Sequence, residues 1–232
     1  QLVDLIQGEG RTEAEITTAV EAFLAQFYSK MDGEKTAVLL FVSRDEIYKA
    51  KDLIELYWDH LSAGNQIKKE QKLCEGELAK ARLTADIALF GRMLAEQPGR
   101  NTDGACQVAH PISTHRVDME MDFFTAVDDL NPAEETGAGM MGVVGFNSAC
   151  YYRYAVVDRD QLARNLARKT ERKGGDWIEE LSVADYQEAD RVIEAFLKAM
   201  VMAVPSGKQN SFAAQNLPSF GLFVRRQGGV PL

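Results

Sequence analysis

A chain of 232 residues, 46% of them hydrophobic, is long enough for one large or two small domains with proper cores. Its longest apolar run, Ala37 to Val42, is far too short to span a bilayer, and Gln1-Leu2-Val3-Asp4 has neither a basic n-region nor an apolar h-region, so a cytoplasmic protein with no membrane partner is expected. The formal net charge of −9 excludes a uniformly basic phosphate-tracking surface, and the widely spaced Cys74, Cys106 and Cys150 make neither a disulfide framework nor a zinc pattern.

Thr12-Glu13-Ala14-Glu15 is a capping box. It opens a helix whose stripe is Ile16, Val20, Phe23, Leu24 and Phe27, ending at Asp32-Gly33. After a short apolar stretch from Thr36 to Val42, Ser43-Arg44-Asp45-Glu46 is a second capping box. The helix behind it carries Ile47, Ala50, Ile54, Tyr57 and Leu61 and stops near Gly64. A third helical region, Gln66 to about Leu83, is rich in Lys and Glu and has an interior Gly76. The three together predict a helical bundle, with no catalytic constellation visible in it.

From Thr84 the character shifts. Ile87 to Met93 either continues a helix or begins a strand, with Gly91 predicting a break and a close backbone approach. Gln97-Pro98-Gly99-Arg100-Asn101 and Asp103-Gly104 belong to a loop. Arg116 to Phe124 alternates with period two: Val117, Met119, Met121 and Phe123 on one face and Asp118, Glu120 and Asp122 on the other, which predicts a half-buried strand. Asp128-Asp129-Leu130-Asn131-Pro132 and a Gly-rich run from Gly137 to Gly145 follow, then a second strand-like stretch from Ala149 to Val157. The expectation is a protruding hairpin with a long flexible tip, which needs a partner surface because two strands alone are marginal in water. Beyond it, Asp158 caps a short helix with Leu162 and Leu166, a basic turn runs from Arg168 to Lys173, and Ser182 opens the longest helix, with Tyr186, Ala189, Ile193, Phe196, Leu197 and Met200 as its stripe and Pro205 at its end. A last strand pair is expected around Phe212 and from Phe220 to Arg226. The fold class is α+β, with a ferredoxin-like sheet and helices on one face.

Asp118, Glu120, Asp122, Asp128 and Asp129, with His110 or His115, have the composition of a metal-dependent phosphodiesterase site. The alternation favours a charged solvent face on a strand instead, so no metal is assigned. Ser206-Gly207-Lys208 lacks the spacing of a P-loop and follows a helix rather than preceding one. It reads either as a plain turn or as a place where Lys208, Gln209 and Asn210 offer donors to phosphate or ribose oxygens. Phe124, Thr125 and Met93 read either as core residues or as wedges that hold bases apart. The acidic excess is uneven, since Arg92 to Arg116 holds Arg92, Arg100 and Arg116 with His110 and His115 against few acids.

The run AHPISTHRVDMEMDFFTAVDDL (Ala109 to Leu130), with IALFGRM upstream (Ile87 to Met93), YYRYA downstream (Tyr151 to Ala155) and VPSGKQNSFAAQN beyond (Val204 to Asn216), resembles the CasC family, the repeated backbone subunits of type I-E CRISPR Cascade complexes. That resemblance implies a right-hand shape: helical fingers over 1–83, an RRM-like palm over 84–232, and a thumb hairpin near 115–149 inserted in it. It implies a non-catalytic subunit that stacks head to tail on CRISPR RNA, meets other Cascade subunits, and presents the guide to target DNA, with no cofactor. Arg92, Met93, Arg100, His115, Arg116, Phe124, Thr125, Lys208, Gln209 and Asn210 are the RNA-binding residues so implied. It also implies that family sequence precedes Gln1 and follows Leu232. The sheet carries no RNP-type aromatic motif, so stacking is expected from hairpin and fingers.

Overall fold

The computed structural model describes residues 2–6, 10–28, 31–32, 35–36, 39–127, 138–203, 206–207, 210 and 213–228. They fall into two compact units, Gln1–Gln107 with Val156–Leu232, and Val108–Ala155.

The first unit begins with α1 (Leu2–Ile6), α2 (Glu13–Ala25), the strand pair β1 (Met31–Asp32) and β2 (Lys35–Thr36), α3 (Arg44–Leu56), α4 (Trp58–Leu61) and α5 (Gln71–Ala79). Both expected capping boxes form: the Thr12 hydroxyl accepts from the Glu15 N–H and the Ser43 hydroxyl from the Glu46 N–H, while each glutamate reaches back to the cap backbone. Helix direction is thus set before any tertiary contact. The stripe of α2 buries Ile16, Val20 and Phe23 against Ala50 and Ile54 of α3, Leu61 of α4 and Cys74 and Leu78 of α5. Fully burying an Ile, Leu or Phe contributes about 1.5–3 kcal/mol, and Ile16, Phe23, Ile54 and Leu61 are all fully buried. The expected second and third helices are shorter than their periodicity suggests, because the backbone leaves helical geometry at Tyr57 and α5 covers only Gln71–Ala79.

The same unit holds a second core built from α6 (Ala85–Phe90), α7 (Arg159–Ala167) and α8 (Val183–Met202). Ile87, Ala88 and Leu89 of α6 pack with Leu162 and Ala163 of α7 and Ala189 of α8, backed by Tyr186, Ile193 and Phe196 of the expected α8 stripe. Asn165, wholly buried, donates to the Ala88 and Asp103 carbonyls, both at 2.8 Å, and accepts from Gln161. A polar side chain sits in this core because its hydrogen bonds are made. Asp158 caps α7 and Ser182 caps α8 as the sequence predicts. Pro205, expected to end α8, lies outside the described residues.

The short strands β3 (Cys106–Val108), β4 (Ile112–Ser113), β7 (Tyr151–Tyr152), β8 (Ala155–Val157), β9 (Arg172–Lys173) and β10 (Asp176–Trp177) join two longer ones, β5 (Glu120–Val127) and β6 (Ala138–Phe146). Among the described residues strands pair only two by two, β1 with β2, β3 with β8, β4 with β7, β5 with β6 and β9 with β10. Residues 213–228 hold no strand, so the expected pairing from Phe220 to Arg226 is not formed there, and Phe212 lies outside the described residues. The α+β class stands.

The second unit corrects the hairpin. Its strand starts at Glu120 rather than Arg116, and its partner is the Gly-rich stretch, not Ala149–Val157. The antiparallel register runs from Glu120 opposite Phe146 to Val127 opposite Ala138, with a shift at Ala126/Val127. Glycine belongs in this strand because large side chains lie across it: Phe124 faces Gly142, where a Cβ would sit 2.6 Å from the ring's Cζ. Alternation correctly marks a strand but not a half-buried one, since Met119, Met121 and Phe123 are all exposed.

Candidate functional site

The loop after α6 is closely constrained. Gly91 ends α6 at φ 78, and a Cβ there would lie 2.7 Å from both the Gly104 nitrogen and the Thr102 carbonyl oxygen. Only glycine permits that approach. Arg92 and Thr102 then exchange two backbone hydrogen bonds of 2.9 Å, and the Leu94 N–H donates to Asn101 Oδ1 at 2.6 Å.

Burial alternates along this loop. Arg92 and Leu94 are buried, while Met93 between them is 83% exposed. Arg92 turns inward onto the Glu46 carboxylate, Nη1 to Oε2 at 2.8 Å and Nη2 to Oε1 at 2.9 Å, and Arg100 Nη2 reaches Oε1 at 2.7 Å. The Ser43 N–H completes the set on Oε2 at 2.7 Å. Burial alone would raise the pKa of Glu46, but the hydrogen bonds from Arg92, Arg100 and Ser43 outweigh it and hold the group at about 2. Arg92 and Arg100, 9% and 5% exposed, therefore do not present cations at the surface of this unit as the sequence expectation has it. Their charge is spent on Glu46. What the arrangement does present is Met93, held out from a rigid base.

In the second unit Phe124 is half-buried over Gly142, and Thr125 is exposed opposite Met141. His115 and Arg116 lie just before β5. The Cys150 N–H donates to His115 Nε2 at 3.4 Å, and Nδ1 lies 2.8 Å from the Arg116 carbonyl, a pattern that assigns the proton to Nδ1. His115 thus ties the two sides of the hairpin base. Arg116 pairs with Asp118 at 3.1 Å, both highly exposed, an arrangement of little energetic weight that leaves the guanidinium open to solvent.

Asn210 is exposed, and Lys208 and Gln209 lie outside the described residues. So do Asp128 and Asp129. The carboxylates of Asp118, Glu120 and Asp122 are exposed, and among the described residues no group of three or more His, Cys, Asp and Glu is placed to hold a metal ion. No helix among them is long and apolar enough to cross a membrane.

Sequence reasoning missed Glu46 and Gly142. The capping box singled out Glu46 as an end-cap, and nothing local signals its pairing with arginines 46 and 54 residues away. A usable signal did exist for Arg92: a strand-like alternation that places Met93 outward places Arg92 and Leu94 inward.

Fold and site together describe a mixed α+β protein with an exposed methionine on a braced loop and a separate two-stranded hairpin. Its structure is similar to a chain of a "CRISPR RNA-guided surveillance complex, pre-nicking", with a TM-score of 0.67 and 28% identity over 94% of this chain. This chain spans 58% of the length of that one. A chain of another CRISPR RNA-guided surveillance complex is 40% identical over 58% of this chain and 45% of its own, with a TM-score of 0.44. A search of curated proteins finds no match. The chain belongs to the CT1975-like protein family, whose model matches residues 1–231.

Proposed function

We propose that this chain is a Cas7-family backbone subunit that binds CRISPR RNA in a type I-E Cascade complex, stacks head to tail with copies of itself beside other Cascade subunits, and presents the guide for pairing with invading DNA. The observation that carries this reading is the fold likeness over 94% of the chain to a chain of a CRISPR RNA-guided surveillance complex, joined to the family match. The subunit performs no chemistry in this reading. It covers the guide backbone while base pairing reads the target.

The proposed shape is helical fingers over 1–83, an RRM-like palm over 84–232 and a thumb near 115–149. Met93 and the hairpin pair Phe124 and Thr125 separate bases, since an exposed thioether and an aromatic edge enter a base stack at no cost in core packing. His115, Arg116, Lys208, Gln209 and Asn210 supply phosphate and ribose contacts. Arg92 and Arg100 act at one remove, by bracing the Met93 loop through Glu46.

Titration of labelled single-stranded RNA of increasing length, read by fluorescence anisotropy at several salt concentrations, tests this. Affinity should rise with RNA length and fall linearly in log salt, with a slope that counts phosphate contacts. Length-independent binding overturns the filament. RNA cleavage dependent on added divalent metal would favour a phosphodiesterase using the Asp118 to Asp129 carboxylates, and assembly indifferent to RNA would favour a protein-only scaffold.

A further inference from the structure

The basic turn after α7 has no part in the function proposed above, yet the chain accepts strain to form it. Arg168 ends α7 at φ 60 and ψ 29, in the left-handed region. A non-glycine residue enters that region only against a steric penalty. Its Nη2 donates to the Ala79 carbonyl at 2.5 Å, but its Nε is buried with no hydrogen-bond partner. Thr102, 8% exposed, has its Oγ1 buried and equally unpartnered. Two orphaned polar atoms in one neighbourhood point to a missing partner.

Both residues line the same cavity, about 470 Å³ in volume, whose walls also include Asn101, Asp103, Arg172 and Trp177. Arg172 lies 3.7 Å and Arg164 4.2 Å from the centre of the Trp177 ring, which fixes the indole as a wall. Behind the cavity Arg92 and Arg100 share the Glu46 carboxylate, and burial together with Arg92 pushes the Arg168 guanidinium below its usual value. An anion entering from solvent meets the exposed Arg172 and the half-buried Arg168. A cation meets Asp103 as the lone acid in the wall.

We propose that this cavity binds a phosphate ester, with the phosphate oxygens accepting from Arg168, Arg172 and Thr102 and the ester portion resting beside Trp177. A guanidinium offers parallel donors that match phosphate oxygens, and the volume exceeds that of phosphate alone and suits a group of nucleotide size. The site stands whether or not the chain forms a filament on RNA. The phosphate is that of a free mononucleotide or of a polynucleotide chain.

The chain has two tryptophans, so Trp58→Phe leaves Trp177 as the sole reporter. Fluorescence of this variant is followed during titration with inorganic phosphate, with a 5′-mononucleotide and with short single-stranded RNA, against sodium chloride at matched ionic strength. Calorimetry on the unsubstituted chain repeats the measurement without the background substitution. A saturable response absent with chloride is expected. Arg172→Gln, at an exposed position, should weaken it about tenfold, the scale of one charge-assisted hydrogen bond. Thr102→Val removes a buried hydroxyl that has no partner, so it should leave the melting temperature unchanged or raise it while still weakening the response. Response to inorganic phosphate and mononucleotide assigns a free ester, whereas response to RNA alone, weakened by Arg172→Gln, assigns a polymer phosphate. No saturable response to any of the three, or one that both variants leave unchanged, overturns the site.

Discussion

Arg92 and Glu46 meet in a buried, bidentate ion pair that joins the first turn of α3 to the loop carrying Met93, across 46 residues of sequence. The carboxylate also accepts from Arg100 and from the Ser43 N–H, so one side chain caps a helix and anchors two arginines. Buried ion pairs rarely add stability over an apolar substitute, but breaking one by removing a single partner is costly. The pair therefore acts as a brace whose loss leaves two guanidinium groups without their shared carboxylate.

Glu46→Gln should lower unfolding free energy by about 3–5 kcal/mol, the usual penalty for stranding a buried charge. Chemical denaturation measures it, and a loss below the scale of a surface substitution would remove the brace from the account.

The same group sets an acid sensitivity. Its folded pKa, about 2, lies below its ordinary 4.5, so the unfolded chain takes up the proton first as pH falls. The stabilisation it supplies is complete above pH 4.5, declines as pH falls toward 2, and is gone below, with a size of about 3 kcal/mol. Stability of the parent and Glu46→Gln chains, measured across this window, should converge as the pH drops.

Gly91→Ala should destabilise by roughly 2 kcal/mol or more, because the new methyl meets backbone atoms on two sides and a positive φ of 78 besides. Thermal melting reports it. An unchanged melting temperature would mean that the turn relaxes freely, and that Met93 is less firmly held.

Phe124 over Gly142 makes a spectroscopic prediction. The ring should shift the Gly142 α-proton resonances upfield, and Phe124→Leu should abolish the shift. In Gly142→Ala the clash falls on the far end of a side chain that can swing, so folding should change by less than about 1 kcal/mol while the ring is displaced. RNA affinity should then fall in both variants if Phe124 separates bases.

Met93→Ala separates function from folding. At 83% exposure the side chain packs against little, so stability should stay within about 0.5 kcal/mol of the parent. RNA affinity should drop nonetheless, and equal affinity would remove Met93 from the RNA-facing set.

The sequence by itself determined the helix starts at Thr12, Ser43, Asp158 and Ser182, because a cap is a bargain among residues three apart and needs no distant partner. It also determined the core stripes of α2 and α8, the break at Gly91 and the presence of a strand after Arg116, all of which follow from local period and steric freedom. What β5 pairs with was decided by tertiary structure: a glycine-rich run reads as a flexible tip until it is placed in register, with Phe124 and Met121 opposite Gly142 and Gly145 and their side chains lying over the space the glycines leave open. The roles of Arg92 and Arg100 were decided the same way. A basic residue in a loop looks like a surface cation, and only the arrival of Glu46 from a distant helix, in a place water does not reach, turns its charge inward.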